Sequence, residues 1–164
     1  QEKFKLWNSA RLANMTLSNS VLRTGLSWPN LKKASGVPTA EPRNWAALYL
    51  KSNKPIEKPF QLFNRKEEPL EDASFLEGII VLDGSWKQAH ALWWRNPWLL
   101  RVNRIALNVG QGSKRNQAKE SGLATIESIA HALPHLNEDV AASESLLRQY
   151  QDLIVTPNRT GRTE

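Results

Sequence analysis

Two short segments of the chain combine residues that could bind a ligand with residues that could move a proton. The first is Leu82-Asp83-Gly84-Ser85-Trp86, which puts a carboxylate, a glycine backbone and a hydroxyl group between an apolar run and a helical pattern. Backbone amides at such a strand-to-helix turn can bind a carboxylate or a ribose, and a carboxylate there can act as a general base. Aspartate and serine are also common helix caps, and the local spacing alone favours that structural role.

The second segment runs from Ser121 to Glu127, at the start of another predicted helix. Thr125 is a reasonable cap, and an acidic residue in the first turn interacts favourably with the helix dipole, so capping again accounts for Thr125 and Glu127. A functional site becomes the better interpretation if this turn and the Asp83 turn converge on one cleft.

Metal and nucleotide chemistry have little support in the sequence. There is no cysteine, and Pro134 interrupts the helical spacing between His131 and His135, so we expect no metal site. The chain also contains no phosphate-binding glycine loop, no dinucleotide fingerprint and no nucleophile elbow of the serine hydrolases.

Positive charge is concentrated in one part of the chain. The sequence has 22 lysines and arginines against 16 aspartates and glutamates, a formal net charge of +6. Positions 87–119 contain no acidic residue and seven basic ones, which are Lys87, Arg95, Arg101, Arg104, Lys114, Arg115 and Lys119. We therefore expect a nucleic acid as partner and these seven side chains as its phosphate contacts.

Three of the seven tryptophans lie in the same basic stretch, namely Trp93, Trp94 and Trp98. Aromatic faces beside guanidinium groups suit single-stranded or looped RNA. Helical spacing nevertheless favours core packing for any one of them.

Hydrophobic patterning predicts alternating strands and helices. Strands are expected at 45–50, 78–82 and 104–107, with a further short one at 21–28. Helices are expected at 4–17, from 86 to Pro97, from about Ala124 to Pro134 and from 138 to 153, whereas 51–73 is proline-rich, charged and expected to be irregular. This alternation predicts an α/β fold with a largely parallel sheet and flanking helices.

The length of 164 residues suits a single domain, which we place at 1–157, followed by a polar tail at 158–164. No apolar run approaches the roughly 20 residues needed to cross a bilayer, so we expect a cytoplasmic protein without membrane contact. No obligate protein partner is predicted.

Four ordered blocks resemble the DTW-domain family, which is named for an Asp-x-Thr-Trp motif. They are Asn8-Ser9-Ala10-Arg11-Leu12, Val81 to Ala89, Asn96-Pro97-Trp98-Leu99, and Gly122 to Ser128. The resemblance departs from the family pattern at Ser85, where threonine is usual, and at Ala124, where serine is common. The cysteine cluster that precedes the domain in many members is also absent, either because the chain is trimmed or because it belongs to a branch without that cluster.

The resemblance implies a tRNA-uridine aminocarboxypropyltransferase, which transfers the 3-amino-3-carboxypropyl group of S-adenosylmethionine to N3 of a uridine. It also implies a SPOUT-like α/β fold, which can contain a trefoil knot. On this basis the catalytic candidates are Asp83, Ser85 and Trp86. The candidates for binding S-adenosylmethionine are Leu82, Gly84, Gly122, Leu123, Ala124 and Thr125.

Two other functions remain open at this stage. One is an RNA methyltransferase that uses the same donor, and the other is a non-catalytic RNA-binding module in which Asp83 is only a helix cap. Within the transferase interpretation, the substrate could be tRNA or ribosomal RNA.

Overall fold

Five strands form one sheet in the structure, a computed structural model that describes residues 10–48, 56–108, 125–136 and 140–155. The strands are β1 (Trp45–Leu48), β2 (Phe60–Phe63), β3 (Pro69–Leu70), β4 (Gly78–Val81) and β5 (Asn103–Leu107). Their order across the sheet is β3-β2-β5-β1-β4. β1 pairs in parallel with both β4 and β5, whereas β2 runs antiparallel to β5 and to β3.

The sheet is therefore mixed, and the prediction of a largely parallel sheet is wrong in this respect. The difference comes from the segment at 51–73, part of which forms the β2–β3 hairpin instead of an irregular stretch. A polar side chain organises the turn: the Asn64 side-chain oxygen accepts hydrogen bonds from the backbone amides of Lys66 (2.9 Å) and Glu68 (3.0 Å). Pro59 precedes β2 and Pro69 is the first residue of β3, positions at which strands tolerate proline.

Helices cover both faces of the sheet. The helices are α1 (residues 10–16), α2 (Leu31–Ser35), α3 (Trp86–Arg95), α4 (Thr125–Ala132) and α5 (Val140–Val155). Ala46, Leu48 and Ile105 of the sheet pack in one core with α1, α4 and α5. Alternate strand residues point to the opposite face, where Ala47 packs with Trp93 of α3.

Most of the predicted elements are confirmed within the described residues, including the three parallel strands and the helices that begin near residues 86, 125 and 140. The predicted strand at 21–28 is wrong, because this segment is held by side chains instead of by a strand ladder. The tail at 158–164 and the first residues of the predicted helix at 4–17 lie outside the described residues.

Asn96 holds the 26–28 segment against the end of α3. Asn96 is only 1% exposed. Its side-chain oxygen accepts from the Trp28 amide at 2.8 Å, and its amide nitrogen donates to the carbonyls of Leu26 (3.1 Å) and Leu92 (2.7 Å). The Trp98 indole N–H donates to the Trp28 carbonyl at 3.0 Å. The Asn-Pro-Trp block therefore has a structural role, since it ends α3 and fixes a loop upstream in sequence.

Replacing Asn96 with alanine should lower the free energy of unfolding by about 2–4 kcal/mol, because a buried side chain loses three hydrogen bonds. The exposed Asn19→Ala is the matched control, with an expected change within about 0.5 kcal/mol. Urea denaturation followed by tryptophan fluorescence measures both. Equal midpoints for the two variants would show that Asn96 does not hold the loop.

Candidate active site at the carboxyl edge of the parallel strands

The two candidate turns meet in the structure. Because β4, β1 and β5 are parallel, their carboxyl ends lie at one edge of the sheet, and Asp83 follows β4 there. Thr125 begins α4, and its hydroxyl donates a hydrogen bond of 2.6 Å to Asp83 Oδ1, across 42 residues of sequence. The two turns are therefore in direct contact at this edge.

The turn between β4 and α3 requires glycine at position 84. Gly84 has a φ of +128°, a backbone conformation that residues with a side chain rarely adopt. A Cβ atom there would lie 2.7 Å from Gln88 Oε1 and 2.9 Å from Gln88 Cβ. The backbone can therefore turn sharply after Asp83 and pass close beneath the Gln88 side chain.

Ser85 and Gln88 form a reciprocal cap at the start of α3. The Gln88 amide donates to Ser85 Oγ at 3.3 Å, and the Ser85 amide donates to Gln88 Oε1 at 2.9 Å. Such a capping box satisfies two amides that have no partner within the helix. The Ser85 oxygen, a catalytic candidate from the sequence, is thus engaged in positioning the turn that carries Asp83.

The remaining candidates near this turn differ in which of their atoms a ligand could contact. The half-buried Leu82 packs with the core beneath α3, so its backbone is the part available to a ligand. Trp86 is the first residue of α3. Gly122, Leu123 and Ala124 lie outside the described residues.

Two polar residues near this edge were not identified from the sequence. Asn108 follows β5, and its side chain donates to the Ile56 carbonyl at 2.8 Å while its amide donates to the Pro59 carbonyl at 2.9 Å. In α4, Ser128 is 1% exposed and its hydroxyl has no hydrogen-bond partner within the described part of the chain. A polar residue directly after an apolar strand was the available signal for Asn108, whereas the helical pattern gave none for Ser128.

The predicted RNA-binding residues fall into two groups where the structure describes them. Lys87, Arg95 and Arg101 are exposed. Arg104 is half-buried: its guanidinium lies 5.0 Å from the centre of the Trp93 ring, and its Nη1 is 3.2 Å from Glu67 Oε1. Arg104 therefore stabilises the packing of α3 against the sheet. Lys114, Arg115 and Lys119 lie outside the described residues.

The three tryptophans of the basic stretch also separate. Trp93 is 7% exposed and belongs to the core, and the half-buried Trp98 donates its indole N–H to the 26–28 segment. Core packing is thus confirmed for these two. Trp94 is 67% exposed.

Metal and membrane features are not found in the part of the chain that the structure describes. No three histidine, aspartate or glutamate side chains of that part come together as a metal cluster, and the His135 ring stacks on Phe60 with centroids 4.8 Å apart. None of the described helices has the length and apolar character needed to span a bilayer.

Comparison with known proteins identifies the family. The sequence model of the DTW domain matches residues 1–156, and the chain belongs to the DTW-domain family. The chain is similar to the tRNA-uridine aminocarboxypropyltransferase 2 of Drosophila melanogaster, with 29% identity over 96 residues. That alignment covers 55% of this chain and 38% of the relative, so this chain matches well under half of the relative's length. No solved structure matches the chain.

The contribution of the Ser85 cap to stability can be measured with two substitutions. Ser85→Ala should lower the free energy of unfolding by about 1 kcal/mol, since the Gln88 amide loses its acceptor. Ser85→Asp replaces the hydroxyl with a carboxylate that can also cap the helix, so its midpoint of urea denaturation should equal that of the wild type. If Ser85→Ala is as stable as the wild type, the observed cap contributes nothing to stability.

Proposed function

We propose that this protein is a tRNA-modifying transferase that moves the 3-amino-3-carboxypropyl group of S-adenosylmethionine to N3 of a uridine. The observation that carries the proposal is the 2.6 Å hydrogen bond between Thr125 and Asp83, which joins two family blocks at the carboxyl edge of the parallel strands. Membership in the DTW-domain family and the name of the similar Drosophila protein support it. The SPOUT-like arrangement with its trefoil knot, the domain bounds 1–157 and the cytoplasmic location stay predictions.

The charges of the residues at this edge complement those of S-adenosylmethionine. S-adenosylmethionine carries a sulfonium, an ammonium and a carboxylate group. The Asp83 carboxylate suits a cationic group, and the first turn of α4, which begins at Thr125, has backbone amides that suit an anionic one. We assign donor binding to the backbone of Leu82 and Gly84, to Thr125 and to the residues 122–124 before it.

Asp83 is assigned to the proton of the reacting base. Uridine N3 carries a proton at neutral pH and becomes a good nucleophile only when that proton is removed. The Thr125 hydroxyl fixes Asp83 Oδ1, which orients the other carboxylate oxygen, Oδ2, for the N3 proton. Gly84 and the Ser85–Gln88 cap hold the backbone on the other side of the same carboxylate.

The bond changes balance with this single proton transfer. N3 forms a bond to the terminal methylene carbon of the aminocarboxypropyl group, the bond between that carbon and sulfur breaks, and its electron pair stays on sulfur. Methylthioadenosine leaves, and the N3 proton goes to Asp83. Three carbons bound to sulfur are open to attack, so the choice among them depends on how the site positions donor and uridine.

Replacing Asp83 with asparagine should reduce kcat by about 100-fold or more, because a general base typically contributes that much. The asparagine oxygen still accepts from Thr125, so the fold should be kept, and Thr125→Val should give a smaller loss by freeing the Asp83 carboxylate. Methylthioadenosine release from S-adenosylmethionine and unmodified tRNA is measured by mass spectrometry, with thermal unfolding as the control for folding.

The by-product also decides between the proposed reaction and its alternatives. Methylthioadenosine with a matching mass gain on uridine supports the proposal. S-adenosylhomocysteine would make the protein a methyltransferase. If the protein binds tRNA or ribosomal RNA and releases neither by-product, it is an RNA-binding module without catalytic activity. If Asp83→Asn keeps full activity, Asp83 is not the general base.

Exposed basic residues of α3 and the turn after it are the proposed phosphate contacts. Lys87 lies in the first turn of α3, close in sequence to Asp83, Arg95 is its last residue, and Arg101 lies in the following 3-10 turn. Lys114, Arg115 and Lys119 are proposed contacts on charge alone, whereas Arg104 is left out because its guanidinium is bound within the protein.

The salt dependence of tRNA binding tests these contacts. Lys87→Ala and Arg95→Ala should each weaken binding and each reduce the slope of log K against log salt concentration by roughly 0.7–0.9, the value for one phosphate contact. Lys58→Ala is the matched control, because Lys58 is exposed but paired with Glu71 on the hairpin side of the sheet. A change of slope for Lys58→Ala equal to that for Lys87→Ala would contradict a specific surface on α3.

A further inference from the structure

Trp94 is an exposed aromatic side chain that the protein holds in one orientation. Its side chain is 67% exposed, although isolated exposed apolar residues are common and exposure alone indicates nothing. The indole N–H, however, donates a 2.8 Å hydrogen bond to His90 Nε2. The two rings also meet edge to face, with centroids 5.9 Å apart and an angle of 73° between their planes.

The His90 contact organises the indole without covering it. The contact joins the indole N–H to an imidazole nitrogen one helical turn away, so it fixes the direction in which the edge of the indole ring points. His90 is itself exposed, one turn before Trp94 on α3. The orientation of the ring is therefore set within the free protein, and less side-chain entropy is lost when a ligand packs on it.

The charge around Trp94 indicates what that ligand is. Lys87, His90, Ala91 and Trp94 follow the helical spacing of one face of α3, and Arg95 is the next residue. α3 has no acidic residue from Trp86 to Arg95. A polyanion with flat apolar surfaces complements such a face, and an RNA with unpaired bases has both properties.

The distance along α3 shows which nucleotide could reach Trp94. With a rise of 1.5 Å per residue, Trp94 lies about 12 Å along the helix axis from Trp86, which follows the Asp83 turn. That separation is too long for the base at Asp83 to contact Trp94. It suits a nearby unpaired nucleotide of the same RNA.

We propose that Trp94, oriented by His90, is a stacking platform for an unpaired base adjacent in space to the target uridine. The inference rests on the proposed function, since it takes the RNA substrate of that reaction as the ligand. Stacking on the indole would add affinity without base identity, because every base has a flat π face. Trp94 is a binding residue in this proposal, and His90 is a positioning residue.

The test compares Trp94 variants on RNA with and without unpaired bases. Trp94→Ala should weaken binding of an unmodified tRNA about 5- to 150-fold at fixed salt, the range given by loss of one base–aromatic stack. Binding of a fully paired RNA duplex of equal charge should not change, and neither should the salt slope for tRNA. Trp94→Phe should restore most of the affinity, and His90→Ala should give a smaller loss than Trp94→Ala.

Phe75→Ala is the matched control. Phe75 is 39% exposed and precedes β4, so it lies toward the opposite edge of the sheet from Asp83. Its replacement should leave tRNA affinity unchanged, and a loss equal to that of Trp94→Ala would show that any exposed aromatic has the same effect.

The remaining outcomes separate this inference from the proposed function. If the wild type binds tRNA and releases methylthioadenosine while Trp94→Ala binds as tightly, the platform is wrong and the function stands. Equal losses on duplex and tRNA, or a wild-type oligomer that Trp94→Ala converts to monomers, would also overturn the platform. A wild type that neither binds tRNA nor releases methylthioadenosine would remove both.

Discussion

The hydrogen bond from Thr125 to Asp83 connects parts of the protein that lie on opposite sides of the sheet. α4, which Thr125 begins, packs with α1 and α5 on one face, whereas Asp83 leads into α3 on the other. Only the open edge beyond the strands allows such a contact, because the sheet itself separates the two cores. The parallel alignment of β4, β1 and β5 creates that edge, and the bond fixes how the two helices begin around it.

The residues that cap α3 are also residues of the candidate site. Ser85 and Gln88 satisfy amides at the start of α3, and Gly84 supplies the backbone conformation that the turn needs. These structural requirements hold the Asp83 carboxylate in place. The sequence leaves open whether this turn is a cap or a catalytic turn. The two roles are compatible in the structure, because the cap gives the Asp83 carboxylate a defined position.

The parts of the fold set by local pattern could be predicted, and the parts set by long-range contacts could not. The run from Gly78 to Val81 and the spacing after Trp86 identify a buried strand and an amphipathic helix without other information. The β2–β3 hairpin was missed because Asn64 organises its turn through side-chain bonds that charge and proline content do not reveal. The 26–28 segment was missed because Asn96, about 70 residues later, determines its path.

In the candidate site, too, local features could be predicted from the sequence and long-range contacts could not. Residue type and order select the candidate residues, but only the structure shows that Thr125 contacts Asp83 and that Arg104 is bound by Glu67 and Trp93. Charge alone gave Arg104 the same role as Arg95, since both lie in one basic stretch. Arg104 is half-buried and Arg95 is exposed, and this difference depends on how α3 packs against β5.

The length of α3 is as strictly constrained as its side chains. The helix is anchored at its first turn by the Ser85–Gln88 cap and at its end by Asn96, and each residue between them rotates the surface by about 100°. Trp93 and Trp94 are consecutive, yet one is in the core and the other faces solvent. Inserting or deleting one residue between the anchors would exchange inner and outer side chains along the rest of the helix. Related sequences that keep both anchors should therefore keep ten residues between Ser85 and Asn96.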